Sequence, residues 1–267
     1  MALVIAEHGL SERRACKLIA VDRSSYRYEP RPDGDGLVRA ELIALARRKP
    51  RFGYRRLGVL LARRGFPLNP KKLYRLYREE HLAVRRLKRK RLRRDTAPLA
   101  ELTQANQEWS MDFVIDGLET GRGVRSLTII DSYTRECLAI ETDSCLSSRR
   151  VTRTLDWIIA QRGKPRAIRS DNGPEFTSRH YLGWCEDNTI EPLHIQPGRP
   201  MQNGYIESFN GRLRDECLNA TSFATLADAK RKIEAWRMDY NVERPHSSLG
   251  YLTPAEFAAR AAPSPPA

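Results

Sequence analysis

Three strand-like stretches follow one another in the middle of this chain: EWSMDFVID from Glu108, VRSLTIIDSYT from Val124 and ECLAIETD from Glu136. Each is rich in β-branched and aromatic residues, and turn formers separate them. The pattern then switches. SSRRVTRTLDWIIAQRG reads as an amphipathic helix stopped by Gly163, and AIRSDNG as a short strand ending in a turn. TSRHYLGWCEDN reads as a helix and TIEPLHI as another strand. Consecutive strands followed by alternating helices and strands predict a mixed α/β sheet with helices on its faces. A long helix and a short terminal one follow in LADAKRKIEAWRMDYNVERPHSSLGYLTPAEFAAR, and the tail APSPPA is expected to fray.

The part before this sheet has another character. Formal net charge over the 267 residues is +14, yet residues 1–100 hold 27 Lys and Arg against 10 Asp and Glu. The remainder is slightly acidic, so the basic excess belongs to a first arm suited to a polyanion. Residues 1–35 form a short helical segment. There Ser11 is placed to cap a helix over ERRACKLIA, and Asp22 to open a second one. A plain helical hairpin and a small helix-turn-helix-like piece both fit. Residues 36–84 predict three helices: GLVRAELIALARRKP, RFGYRRLGVLLARRGF and, after the turn GFPLN, KKLYRLYREEHL. Asn69 is a candidate N-cap with Pro70 at the first helical position. Leu73, Leu76 and Tyr77 point inward, whereas Lys71, Lys72, Arg75 and Arg78 point outward. Two helices joined by a short turn, the second one basic, match a helix-turn-helix DNA reader. A solvated basic face on a helical bundle is the alternative. Residues 85–105 are a basic linker, including Arg85, Arg86, Lys88, Arg89, Lys90 and Arg91, and such a run both resists compaction and tracks phosphates.

No apolar run approaches the roughly 18 residues of a membrane span. The start lacks a basic n-region and a small-residue cleavage site, so no signal peptide is read. Cys16, Cys137, Cys145, Cys185 and Cys217 form no CxxC and have no His at metal-ligand spacing. That favours reduced thiols in a cytosolic protein.

Residues 200–218, PMQNGYIESFNGRLRDECL, predict one helix. Asn203, Glu207, Asn210 and Arg214 recur at helical spacing on a polar stripe, and Tyr205, Ile206, Phe209 and Leu213 form an apolar one. Asp112 interrupts the apolar run WSMDFV. By alternation it either faces solvent or is placed for chemistry. Asp171 ends the strand AIRS, where it is a turn former with Asn172 and Gly173 or a group at the ligand-collecting end of a sheet. The three carboxylates, separated by 58 and then 35 residues, can converge at one edge of the sheet. Acidic oxygens suit Mg²⁺ or Mn²⁺, and two such ions about 3.5–4 Å apart clamp both oxygens of a phosphodiester displacement.

The set WSMDFV, SDNGPEF and NGYIESFNGRLRDECLN resembles the DDE signature of retroviral-integrase-type transposases. More closely, it is similar to the second-frame (OrfB) product of insertion sequences in the family founded by insertion sequence three. RFGYRRLGVLLARRGFPLNPKKLYRLYRE resembles that family's helix-turn-helix segment, and YNVERPHSSLGYLTPAEF its closing segment. The resemblance implies an α/β fold with a ribonuclease-H-like mixed-sheet catalytic core over residues 106–221, a helical helix-turn-helix region before it, and a C-terminal helical extension over 222–267. It implies a DNA transposase acting at insertion-sequence ends by metal-dependent strand cleavage and strand transfer. Asp112, Asp171 and Glu207 would be the catalytic metal ligands; Glu175, acidic and near, is not read as one. Arg214 would meet phosphate, and Asn203 and Asn210 would contact DNA or orient the carboxylate. Implied partners are double-stranded DNA, further copies of the chain on that DNA, and the product of an upstream frame as fusion or partner. A ribonuclease-H-like nuclease without strand transfer and a non-catalytic DNA-binding remnant are the other readings. His246, in RPHSSL, is read as fixing a corner between helix and loop rather than as a base.

Overall fold

The computed structural model describes residues 2–29, 34–84, 102–196 and 203–261. Three short helices come first: α1 (Ala2–His8), α2 (Glu12–Ile19) and α3 (Arg23–Tyr26). The first of them was not expected from the sequence. Ser11 occupies the cap position of α2 with extended backbone, but its hydroxyl makes no capping bond.

A helical unit follows, built of α4 (Gly36–Arg48), α5 (Tyr54–Arg63) and α6 (Pro70–Glu79). Leu42, Leu45, Leu57, Leu61, Leu73 and Leu76 fill its centre. The start of α6 is as its sequence dictates: Asn69 Oδ1 accepts from the backbone N–H of Lys71 at 2.8 Å, and Pro70 opens the helix. Gly58 is where α5 meets α6, because a Cβ there would collide with the Leu73 side chain. Gly65 turns the chain between the two helices at φ +88.

The sheet comprises β1 (Glu108–Gly117), β2 (Gly123–Asp131), β3 (Cys137–Asp143), β4 (Ala167–Ser170) and β5 (Glu191–His194), in the order β3-β2-β1-β4-β5. The first three pair antiparallel, while β4 joins β1 and β5 joins β4 in parallel. The second strand is shorter than its apolar run. It ends where the buried Asp131 carboxylate accepts from the backbone N–H groups of Tyr133 and Thr134, closing a turn.

Alternation along β1 sends side chains into two cores. Trp109 and Met111 pack under α7 (Ser148–Arg162) and α9 (Arg179–Asp187), with Leu155, Phe176 and Tyr181. Val114 packs on the other face under α10 (Gly204–Glu216) and α11 (Leu226–Val242), with Ile206, Phe209, Leu213 and Ile233. The helix read over 177–188 is α9, which Ser178 caps by accepting from the Tyr181 N–H; the short α8 (Pro174–Thr177) before it was not expected from the sequence. The last element among the described residues is α12 (Pro254–Ala261).

The helical unit docks on the second core largely through charge. Lys49 pairs with Asp239, Arg51 with Asp215, and Arg63 with Glu256 at 2.7 Å. At the centre of this contact Arg244 is buried. It forks onto both oxygens of Glu216 at 2.6 and 2.8 Å, with its guanidinium over the rings of Phe52 and Tyr240. His246 is buried beside it, edge-on to Tyr240, and its backbone ties back to Leu252 and Tyr251. The corner role expected for it stands. Burial, then the neighbouring arginines, hold its imidazole neutral, with its pKa pushed down to about 2. No helix among the described residues is long and apolar enough to cross a membrane.

Candidate active site

Asp112 shares the face of β1 that carries Val114, so it points toward α10. Parallel pairing sets Ser110 against Arg169. Continuing that register by two residues brings Asp171, just past the end of β4, opposite Asp112. The site therefore sits midway along β1 and just beyond the carboxyl end of the parallel strand β4, where the sheet leaves room beside β1. Glu207 enters from above, exposed in the first turn of α10.

The local geometry of each acid is distinct. Asp112 is half-buried. Its Oδ1 accepts from the Phe113 N–H at 2.7 Å and its Oδ2 from the Asn210 amide at 2.9 Å. Asp171 Oδ1 accepts from the Gly173 N–H at 3.0 Å in a tight turn, and Asn172 anchors that turn by donating to the Ile195 carbonyl. A Cβ at Gly173 would press on Asp171 Oδ1 at 3.0 Å. Glu175, close by, is held by Arg125 at 2.6 Å, which in turn lies over the Phe113 ring. Its charge is thus already matched, in line with its exclusion from the ligands.

Burial pushes the Asp112 carboxyl up to about 6, with Asp171 and Glu207 adding repulsion. The bonds from Phe113 and Asn210 work against this rise. Among the described residues none of the three acids has an ion-pair partner. Nor do three His, Cys, Asp or Glu side chains there close into a group that holds an ion unaided. Surplus negative charge fits a hard divalent cation that keeps waters and phosphate oxygens in its shell.

The polar stripe of α10 divides on inspection. Asn210 is buried, with its amide on Asp112 and its carbonyl 2.9 Å from Thr128 Oγ1. Asn203 is buried at the helix start, and its Oδ1 finds no partner. Of the two roles read for these asparagines, Asn210 has the geometry of orienting the carboxylate. Arg214 remains exposed and donates to the Ile115 carbonyl at 3.2 Å. On α6, Lys71, Lys72, Arg75 and Arg78 all face outward. Lys72 and Arg75 are engaged by Asp35, and Arg75 also by Glu79 at 2.9 Å. Arg85, Arg86, Lys88, Arg89, Lys90 and Arg91 lie outside the described residues.

Thr128 was missed from sequence. It is the cross-strand neighbour of Asp112, and its Oγ1 also lies 3.0 Å from the Asp112 carbonyl. Nothing in an apolar strand marks such a threonine until the pairing is known.

A five-stranded mixed sheet in the order β3-β2-β1-β4-β5 with helices on both faces defines an integrase-type, ribonuclease-H-like core. Comparison with known proteins agrees. Family models described as "Integrase core domain" match residues 103–200 and 188–254, and one described as "HTH-like domain" matches 38–91. A protein of insertion element IS407 from Burkholderia multivorans is 48% identical over 97% of this chain and 95% of its own length. One of insertion element IS476 from Xanthomonas euvesicatoria is 49% identical over 94% of this chain and 73% of its own. A chain of the simian T-cell lymphotropic virus intasome, solved in complex with a PP2A regulatory subunit, superposes with a TM-score of 0.55 at 16% identity. That overlap covers 79% of this chain and 74% of the other, and bears on fold alone. The chain belongs to the insertion-sequence transposases of the family founded by insertion sequence three.

Proposed function

We propose that this transposase cuts and joins DNA strands at the ends of its element through Asp112, Asp171 and Glu207. The observation that carries the reading is the opposition of Asp112 and Asp171 across parallel strands, with Glu207 on the helix above and no ion pair to any of the three among the described residues. These carboxylates would hold Mg²⁺ or Mn²⁺, two ions per site. What such ions would supply is activation of the attacking oxygen and stabilisation of the leaving 3′ oxygen of a phosphodiester. The chain's own work is positional. The Gly173 turn fixes Asp171, Asn210 and Thr128 fix Asp112, and α10 delivers Glu207.

Water would serve as nucleophile for cleavage and the freed 3′-hydroxyl for joining. The helical unit over 36–84 and the basic linker would hold double-stranded DNA, with Lys71 and Arg78 facing outward free of ion pairs among the described residues. Arg214 is placed for phosphate on the exposed side of α10. Two element ends must meet, so the working form would be a multimer on DNA, with the upstream-frame product as fusion or partner. The division into 1–35, 36–84, 85–105, 106–221 and 222–267 is retained as part of this reading, with bacterial cytoplasm as its setting.

Purified protein, end-sequence DNA and Mg²⁺ test it. Wild type should release a 3′ end and join it to a second strand, and Glu207→Gln should do neither. Equal activity of the variant would overturn the site. Cleavage without joining would replace transposase chemistry by that of a simple nuclease.

A further inference from the structure

A second concavity lies between the helical unit and the C-terminal segment, with a volume of about 510 Å³. Tyr54 and Tyr74 meet there edge to face, 5.0 Å between centroids, and Tyr74 is 47% exposed. Tyr251 closes the opposite side. Arg55 donates to Tyr54 Oη at 3.1 Å and lies beside the Tyr251 hydroxyl. Arg78 stands at the rim, exposed and outside every ion pair among the described residues. Among the described residues no acidic side chain lines the cleft.

Tyr251 is held in a conformation its side chain disfavours. Its φ is +66, directly after Gly250 at +63. A bulky residue in the left-handed region costs on the order of 1–3 kcal/mol and persists where its surroundings demand it. Here its N–H donates to the His246 carbonyl at 2.7 Å, and the result is a tyrosine ring set into the cleft wall. Packing alone would not require an aromatic at a half-exposed position.

We propose that this cleft binds unpaired, single-stranded DNA, seating a base against the tyrosines and its phosphate on Arg55 and Arg78. Aromatic rings interleaved with arginines in an acid-free groove are the chemistry that holds single strands, since every base has a face to stack. The volume is that of a small-ligand pocket, enough for a nucleotide and too little for a duplex. The cleft also lies within reach of the carboxylates. Arg56, on its wall, approaches Glu216 at 3.7 Å, at the far end of the helix that carries Glu207. Glu207 and Glu216 are roughly 14 Å apart along that axis, about four stacked nucleotides. The inference rests on the DNA-processing function proposed above and adds a place for the strand that such processing leaves unpaired.

The test uses the full chain in EDTA, where no strand is cut. The probes are a fluorescein-labelled oligothymidine strand and a labelled duplex, read by anisotropy. Tyr74→Leu should weaken the single strand about tenfold and the duplex less than about twofold. Tyr251→Asn, whose side chain tolerates the left-handed backbone, should do the same, with circular dichroism confirming the fold. Iodouracil placed in the strand should photocrosslink to Tyr54, Tyr74 or Tyr251. Equal losses on both probes, unchanged strand binding in folded variants, or crosslinks confined elsewhere would overturn the cleft assignment. Asp112→Asn serves as the separating arm. Wild-type catalysis lost with strand binding kept leaves the cleft independent of the site. Strand cutting that proves absent from wild type, with tyrosine-dependent strand binding present, removes the proposed function and supports the cleft.

Discussion

Asn210 donates its side-chain amide to Asp112 Oδ2 at 2.9 Å, so the helix that carries Glu207 also grips the first carboxylate. One rigid element thereby sets two of the three acids. Thr128 completes the link, its single hydroxyl proton serving either the Asp112 carbonyl or Asn210 Oδ1. An orienting group of this kind is expected to influence metal affinity by about 10–100-fold. Asn210→Ala should therefore raise the Mg²⁺ concentration needed for half-maximal strand transfer by about that factor. Asn210→Asp, which sets another negative charge against Asp112, should be worse. Titrating strand transfer against Mg²⁺ checks both, and an unchanged requirement would remove the positioning role.

Replacing the acids themselves should be far more severe. Asp112→Asn, Asp171→Asn and Glu207→Gln are each expected to lower strand transfer about a thousandfold or more, matching several kcal/mol of lost charge stabilisation. Duplex binding, which draws on the basic arm, should stay within about twofold of wild type. The contrast between gel-shift and strand-transfer assays measures this.

The metal-free protein should have a distinctive pH dependence. The Asp112 pKa is raised from 3.8 to about 6, so its protonated form favours the fold. That contribution is complete below pH 4 and is lost as pH rises through about 6. It amounts to at most about 3 kcal/mol. His246 acts in the opposite sense. Its pKa is lowered from 6.5 to about 2, so the fold favours the neutral ring, and stability is lost as pH falls below 6.5. Urea melts between pH 4 and 7 should show Asp112→Asn removing the first trend and His246→Gln the second. Mg²⁺ should oppose the Asp112 trend by favouring its ionised form.

The Arg244–Glu216 pair offers a test of how the helical unit is held. Removing one partner strands a buried charge, and about 3–5 kcal/mol of stability should go with it. Glu216→Gln is the cleaner variant, since it keeps the shape of the side chain. A melting temperature within a degree or two of wild type would show that the pair is not what joins these elements.

Affinity for duplex DNA should fall steeply with salt, with a log–log slope of about −0.9 for each phosphate neutralised. Deleting residues 1–100 should flatten that slope. A slope left intact would move the DNA-binding surface onto the catalytic core.

Much of the architecture was readable in local pattern. The strands of the core, the helix stopped by Gly163 and the Asn69–Pro70 start of α6 follow from alternation, helical period and capping, which act over a few residues. Reading failed where a distant contact overrode the local signal. The second strand ran too long because the Asp131 turn was not visible, and the short helix α8 ahead of α9 was not read. At the proposed site, the three acids are named by type and spacing, whereas Thr128 carries no such mark. The stripe on α10 was read correctly as a helical row, yet the row straddles a buried edge, so Asn210 serves the protein's interior while Arg214 stays exposed.

The amino-acid order alone determined most of the elements, the basic arm and which carboxylates are candidates for the site, because period, charge and side-chain chemistry are local properties. Only the tertiary structure decided that Asp112 faces Asp171, that Asn210 reaches Asp112, and that four tyrosines and three arginines from separate segments line one cleft. Those relations depend on strand register and on which faces bury together, and both are settled by packing between segments far apart in the chain.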